Sequence, residues 1–221
     1  MSRPPHNHLL LILRYLKPTL FLTCLLPLAL LVWDGFHDAL GANPIETITH
    51  RTGDWTLRFL LITLTMTPLR RLMGWNGVLR LRRMLGLFAF FYACLHFLTY
   101  LVLDQFFDWD AIIRDIAKRP YITIGFSAFV LLIPLAVTST KAMMRRLGRR
   151  WGQLHRLTYL VAIFGVIHYL WLVKADYLPP ALYASVLAIL LGLRLWWWRV
   201  DGDAETGRGQ RHARRALTDI K

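Results

Sequence analysis

The sequence predicts an all-α polytopic membrane protein, a bundle of six transmembrane helices with both termini in the cytoplasm. Three observations predict it. Of 221 residues, 56% are hydrophobic and 18% are charged, against about a quarter charged in an ordinary soluble domain. The apolar residues fall into six blocks, each near the ~20 residues that cross a bilayer as helix. The basic residues alternate between the connecting segments, filling every second one.

The blocks are Pro18–Trp33, Trp55–Leu69, Leu85–Leu103, Tyr121–Thr138, Leu157–Val173 and Ala181–Trp198. The second is short and borrows Arg58 or its flanks. The first carries Pro27, which a membrane helix accommodates as a kink. Residues 1–17 read as a cytoplasmic N-terminal segment, 18–198 as the membrane domain and 199–221 as a basic, disordered cytoplasmic tail. No cleavable signal is expected, because Pro4, Pro5, His6 and His8 precede the first run and no small-residue cleavage site follows it.

Orientation follows from charge. Arg70, Arg71, Arg80, Arg82, Arg83, Lys141, Arg145, Arg146, Arg149 and Arg150 lie in segments on one side. Asp34, Asp38, Glu46, Asp54, Asp104, Asp108, Asp110, Asp115 and Asp176 lie in the alternate ones. Basic loops stay inside, which places the termini in the cytoplasm. The net charge of +14 is therefore assigned to topology and anionic lipid, and no nucleic-acid partner is expected. Trp33, Trp55, Trp75, Trp109, Trp151 and Trp196–Trp198 fall near block ends, where indole rings favour the interface. Cys24 and Cys94 sit inside blocks and read as packing residues. No strand pattern, phosphate-binding glycine loop or internal repeat is evident.

Position sorts the eight histidines. His6, His8 and His212 are terminal, and His37 and His50 fall in an outer loop and read as solvated. His96 and His168 lie deep in the third and fifth blocks, 11 residues past Leu85 and 12 past Arg156. At 1.5 Å per residue both stand roughly 17 Å from the cytoplasmic face. Ionisable groups in a bilayer need a partner or a purpose. Two neutral imidazoles at one depth are suited to opposite faces of a haem iron; the plainer alternative is a hydrogen bond to a neighbouring helix. His155, roughly 20 Å before His168 along the axis, is a candidate for a second haem. Sharing one stack requires a helix distortion, near Gly165 for instance, or two separate faces. Arg82 cannot ligate iron but suits a propionate or a flavin phosphate.

Several stretches together resemble the ferric-reductase-like transmembrane family. They are His50-Arg51-Thr52-Gly53-Asp54-Trp55, Thr67-Pro68-Leu69-Arg70-Arg71, Arg82-Arg83-Met84-Leu85-Gly86-Leu87 running on to Leu95-His96, Arg119-Pro120-Tyr121-Ile122-Thr123, Pro134-Leu135-Ala136-Val137-Thr138-Ser139, and Trp151-Gly152-Gln153-Leu154-His155-Arg156-Leu157 ending at His168-Tyr169. They span about residues 44 to 172. The resemblance implies an inner-membrane b-type cytochrome that passes electrons outward to a periplasmic molybdopterin methionine sulfoxide reductase, MsrP, for repair of oxidised proteins. It implies haem b, one or two, on His96 and His168 with His155 and Arg82 at a second site. FMN is a further candidate cofactor, and the donor is the quinone pool or a cytoplasmic flavin reductase. Relatives that oxidise NADPH carry two histidines in the third span and a nucleotide-binding domain; this chain has neither. The alternatives are a cytochrome b subunit of another periplasmic oxidoreductase, or a haem-free proton-coupled transporter.

Overall fold

A computed structural model describes the backbone of residues 6–74 and 76–218 and the side chains of residues 15–74 and 77–201. Pro4, Pro5 and Trp75 lie outside the described residues, as do the side chains of His6, His8 and His212. Among the described residues the regular structure is helical. The order is α1 (His6–Phe36), α2 (Pro44–Met73), a 3₁₀ turn (Asn76–Val78), α3 (Leu79–Leu98) opening into a π turn (Thr99–Asp104), α4 (Trp109–Lys118), α5 (Pro120–Val137), α6 (Lys141–Leu147), α7 (Arg149–Leu154), α8 (Leu157–Leu172) and α9 (Leu178–Thr218).

Five stretches are long and apolar enough to cross a membrane: Tyr15–Phe36, Leu79–Asp104, Pro120–Val137, Arg149–Leu172 and Leu178–Asp201. They cover five of the six expected blocks. The second block belongs to α2, which is 30 residues long and is not in that set. Its composition has a physical reason. Leu57, Phe59, Leu60, Leu61 and Leu64 are buried in protein, and α3, α8 and α9 all pack on it. A helix enclosed by helices can carry Asp54 and Arg58, because other side chains satisfy them. Arg58 pairs with Asp54 at 3.5 Å, donates from Nε to the Tyr183 hydroxyl of α9 at 2.9 Å and lies over the Trp55 ring.

α2 also starts far earlier than its apolar block. Asn43 caps it, its side-chain oxygen accepting from Glu46 N and its amide donating to Glu46 Oε2, and Pro44 occupies the first turn, where a missing N–H costs nothing. The expected outer loop therefore shrinks, and Thr49, His50, Gly53 and Asp54 become helical. The chain leaves α2 through Gly74 in the left-handed region (φ 67°), whose N–H returns to Arg70 O at 2.8 Å.

The kink residue Pro27 has a partner. Tyr92 of α3 is 1% exposed. Its hydroxyl donates to Cys24 O at 2.9 Å and accepts from Leu28 N at 3.1 Å, inserting into the α1 ladder beside the proline. The ring packs against Phe59, which in turn meets Phe88, so α1, α2 and α3 share one aromatic core.

Two expectations about the chain's ends and breaks change. The segment from 199, expected as a disordered tail, continues α9 to Thr218. A helix already nucleated extends at little cost through Ala-, Glu- and Arg-containing sequence. The break before α8 falls at His155 and Arg156, which form a turn, and not near Gly165.

Candidate functional site: a four-helix cavity with two imidazoles

α2 packs most extensively on α3, and α5 on α8; α3 also contacts α5, and α2 contacts α8. These four helices enclose a cavity of about 520 Å³, within the ~300–1,000 Å³ usual for cofactor sites. His96 and His168 project into it from α3 and α8. Their ring centroids are 6.1 Å apart and their planes cross at 77°.

Both rings are held in the same way. His96 Nδ1 lies 2.9 Å from Thr49 O of α2, and His168 Nδ1 lies 2.7 Å from Tyr121 O of α5. A carbonyl only accepts, so each Nδ1 carries the proton and each Nε2 keeps its lone pair. The helix opposite each ring has a glycine at the point of contact. A Cβ at Gly53 would meet His96 Nδ1 and Cε1 at 3.1 Å, and one at Gly125 would meet His168 Nδ1 at 2.6 Å. Small residues, Ala93 and Gly165, line the cavity three positions before each histidine.

These coincidences share one register. Thr49, Gly53, Ala93 and His96 become Tyr121, Gly125, Gly165 and His168 on adding 72 residues, and each carbonyl precedes its histidine by 47. Two helical hairpins thus supply equivalent half-sites. The sequence hides the correspondence, because besides Gly53 and His96 only Leu60 and Leu85 between them recur at that offset, as Leu132 and Leu157. A histidine paired with a glycine 43 positions earlier was the available signal.

The donor set is two neutral imidazoles facing an apolar space. Among the described residues no three His, Cys, Asp or Glu side chains gather to hold a bare ion. Two nitrogens each about 2 Å from one shared metal put their ring centres roughly 6 Å apart. The spacing, the free Nε2 atoms and the open volume fit an iron porphyrin held from both faces.

The cavity extends to Asn43, Glu46, His50, Asp104 and Arg119, near the start of α2 and α5. His50, expected as a solvated loop residue, is exposed there on α2. Arg119 pairs with Asp115 at 3.2 Å and donates to the Tyr121 hydroxyl at 3.4 Å. The Tyr121 hydroxyl and the Asp115 carboxylate hold its guanidinium above its ordinary value. His37 lies elsewhere, stacked on Trp33.

His155 and Arg82 do not line this cavity. His155 Nε2 lies 3.1 Å from Thr138 Oγ1. That hydroxyl donates to Pro134 O at 2.6 Å, so it accepts from Nε2–H. The ring stacks on Trp151 at 4.0 Å, and Trp151 Nε1 donates to Thr138 O. Arg82 lies within charge–charge reach of His155, Tyr159 and Arg194.

Residues 52–166 match the model of the ferric reductase like transmembrane component. The chain belongs to that family. Among curated relatives of this family member is a protein-methionine-sulfoxide reductase heme-binding subunit MsrQ of Herminiimonas arsenicoxydans, 56% identical over 188 residues, covering 84% of this chain and 86% of the relative. MsrQ of Azospira oryzae is 59% identical, covering 84% of this chain and 78% of the relative. MsrQ of Rhodospirillum rubrum is 57% identical, covering 79% and 85%. The ferric-reductase-like match takes in His96 and His155 and stops two residues before His168. With its five apolar helices, this family member is a multi-pass membrane protein.

Proposed function

We propose that this chain is a b-type cytochrome subunit that carries electrons across the inner membrane to a periplasmic methionine sulfoxide reductase. The observation that carries the reading is the His96–His168 pair, with both Nδ1 atoms tied to carbonyls and both rings 6.1 Å apart in one cavity. Relatives named as haem-binding subunits of a protein-methionine-sulfoxide reductase support it.

Haem, when bound, supplies a one-electron couple within the membrane. His96 and His168 are the residues that would hold it through their free Nε2 atoms, and the group would then serve electron transfer and not oxygen chemistry. Thr49 and Tyr121 carbonyls orient the rings and raise their basicity as ligands. Apolar walls such as Leu57, Leu60, Phe97, Phe129 and Leu132 keep water from the site. α2 is the sixth span in this reading, with both termini cytoplasmic, so the cavity mouth at Arg119 faces the periplasm and the molybdopterin partner MsrP. Electrons enter on the inner side from quinol or a flavin donor, with FMN as an additional cofactor. A second haem on His155, with Arg82 at its propionate, requires that ring to leave Thr138 and Trp151.

The test is the visible spectrum of the detergent-purified protein with its pyridine-haemochrome stoichiometry. Wild type is expected to be red, with a strong violet absorption band. His96→Ala and His168→Ala are each expected to lower bound haem about tenfold or more, since each removes one of the two residues that would hold it. Full haem content in both variants would refute the assignment.

A further inference from the structure

Between the spans Leu79–Asp104 and Pro120–Val137 lies α4, ten residues long and too short to cross a bilayer. Asp108 caps it, accepting from Ala111 N at 3.0 Å. At about 100° per residue its side chains form rows four residues apart. Ile112 is buried and Ile116 half-buried, so their row faces the bundle. Trp109, Ile113 and Ala117 form the next row and are exposed, Trp109 by 60% and Ile113 by 64%. Asp110, Arg114 and Lys118 form the row after that and are exposed too. Around its axis the helix shows protein contact, then an uncovered apolar stripe, then a charged one.

The turn leading into α4 extends the apolar stripe at a cost. Phe106 and Phe107 stand in the left-handed region, with φ of 46° and 61°, which costs a residue other than glycine roughly 1–2 kcal/mol. Phe107 N–H to Leu101 O at 3.0 Å and Asp108 N–H to Gln105 O at 2.8 Å fix the turn. It leaves both rings exposed, Phe106 by 76% and Phe107 by 50%, with the Phe107 ring 6.4 Å from that of Trp109. Strain that holds apolar rings off the protein points to a contact outside it.

The tethers say what that contact is. Four residues, 105–108, join α4 to the end of the Leu79–Asp104 span, and Arg119 alone joins it to α5. A residue reaches at most ~3.6 Å, so α4 is confined to the level at which two spans leave the hydrocarbon. Aromatic rings favour that level, and a helix with one apolar and one charged flank lies along it.

We propose that α4 and the Phe106–Phe107 turn form an interfacial anchor whose occupant is the lipid bilayer. Phe106, Phe107, Trp109 and Ile113 enter the boundary between headgroups and acyl chains, and Asp110, Arg114 and Lys118 face water. The anchor sets the height of the bundle at this end, whatever fills the cavity.

Single cysteines test it, placed in the full chain carrying Cys24→Ala and Cys94→Ala, spin-labelled and reconstituted into vesicles of phosphatidylethanolamine and phosphatidylglycerol. Power saturation compares collisions with oxygen, which concentrates in lipid, and with a water-soluble nickel complex. Phe107→Cys, Trp109→Cys and Ile113→Cys are expected to show an oxygen-to-nickel ratio severalfold above that of Asp110→Cys, Arg114→Cys and Lys118→Cys. Equal ratios in the two groups would put both rows in one medium and overturn the anchor. Low collision rates with both reagents in the apolar group would mean that protein covers it, a second copy or a partner, and would overturn it equally. If the chain without Cys24 and Cys94 does not fold, the variants retain both, and the labelled wild-type chain serves as their blank. The contrast is expected with and without added haemin, so its failure leaves the haem reading standing, and failure to bind haemin leaves the anchor standing.

Discussion

The His96–His168 cavity and the His155–Arg82 corner carry similar residue types, yet they are built differently. In the cavity each imidazole spends Nδ1 on a backbone carbonyl and leaves Nε2 unbonded. At the corner His155 spends Nε2 on Thr138, and its face lies on Trp151. The cavity is an open-mouthed volume walled by four helices, whereas the corner is the turn between α7 and α8. A histidine becomes a ligand when its surroundings hold the ring and leave the lone pair facing empty space. The same side chain becomes a structural fastener when a neighbour takes that nitrogen.

The glycines offer the sharpest way to break the contrast. A methyl group at Gly125 would stand 2.6 Å from the His168 ring, so the ring must turn away and abandon Tyr121 O. Gly125→Ala is expected to weaken haem binding at least about tenfold, because overpacking costs ~1–3 kcal/mol. Without haem the ring can turn into the cavity, and the lost bond to Tyr121 O, about 1 kcal/mol, is offset by alanine's helix preference of ~1 kcal/mol. The haem-free variant should therefore melt within a few degrees of wild type. Gly53→Ala, at 3.1 Å from His96, is expected to show the same pattern with a smaller loss of affinity. A spectral titration beside a melting curve checks both, and unchanged haem affinity in Gly125→Ala would remove the cradle argument.

His155→Ala sharpens the contrast from the other side. The cavity haem should remain fully bound, while the fastening to Thr138 is lost at a cost of about 1 kcal/mol. Haem stoichiometry and thermal stability report the two effects separately. A fall in haem content by one equivalent would show instead that the corner ligates. The smallest effect is expected for Tyr92→Phe, distant from both regions. Leu28 N–H and Cys24 C=O can close on each other, so the net destabilisation should stay near 1 kcal/mol, with an unchanged spectrum.

The helical membrane architecture was legible in the sequence because it depends on composition along the chain. Apolar block length sets the spans, and the five apolar helices fall where five blocks predict. α2 was only half legible. Its first turns are polar, since neighbouring helices and Asn43, not lipid, satisfy them. His96 and His168 stood out by depth alone, because rise per residue converts position into height. Thr49, Gly53, Tyr121 and Gly125 did not, as a carbonyl acceptor has no side-chain signature and a glycine's absent Cβ matters only once a ring lies against it.

Sequence by itself therefore determined the chemistry available in this protein: helices of membrane length and two imidazoles at matching height within apolar blocks. Tertiary structure alone decided which nitrogen each imidazole offers, where Gly53 and Gly125 meet the rings, and that His155 is engaged elsewhere. The reason is that hydrophobic length and helical rise are sums over neighbours in the chain. A lone pair's freedom depends on atoms brought within 3 Å by packing between helices far apart in sequence.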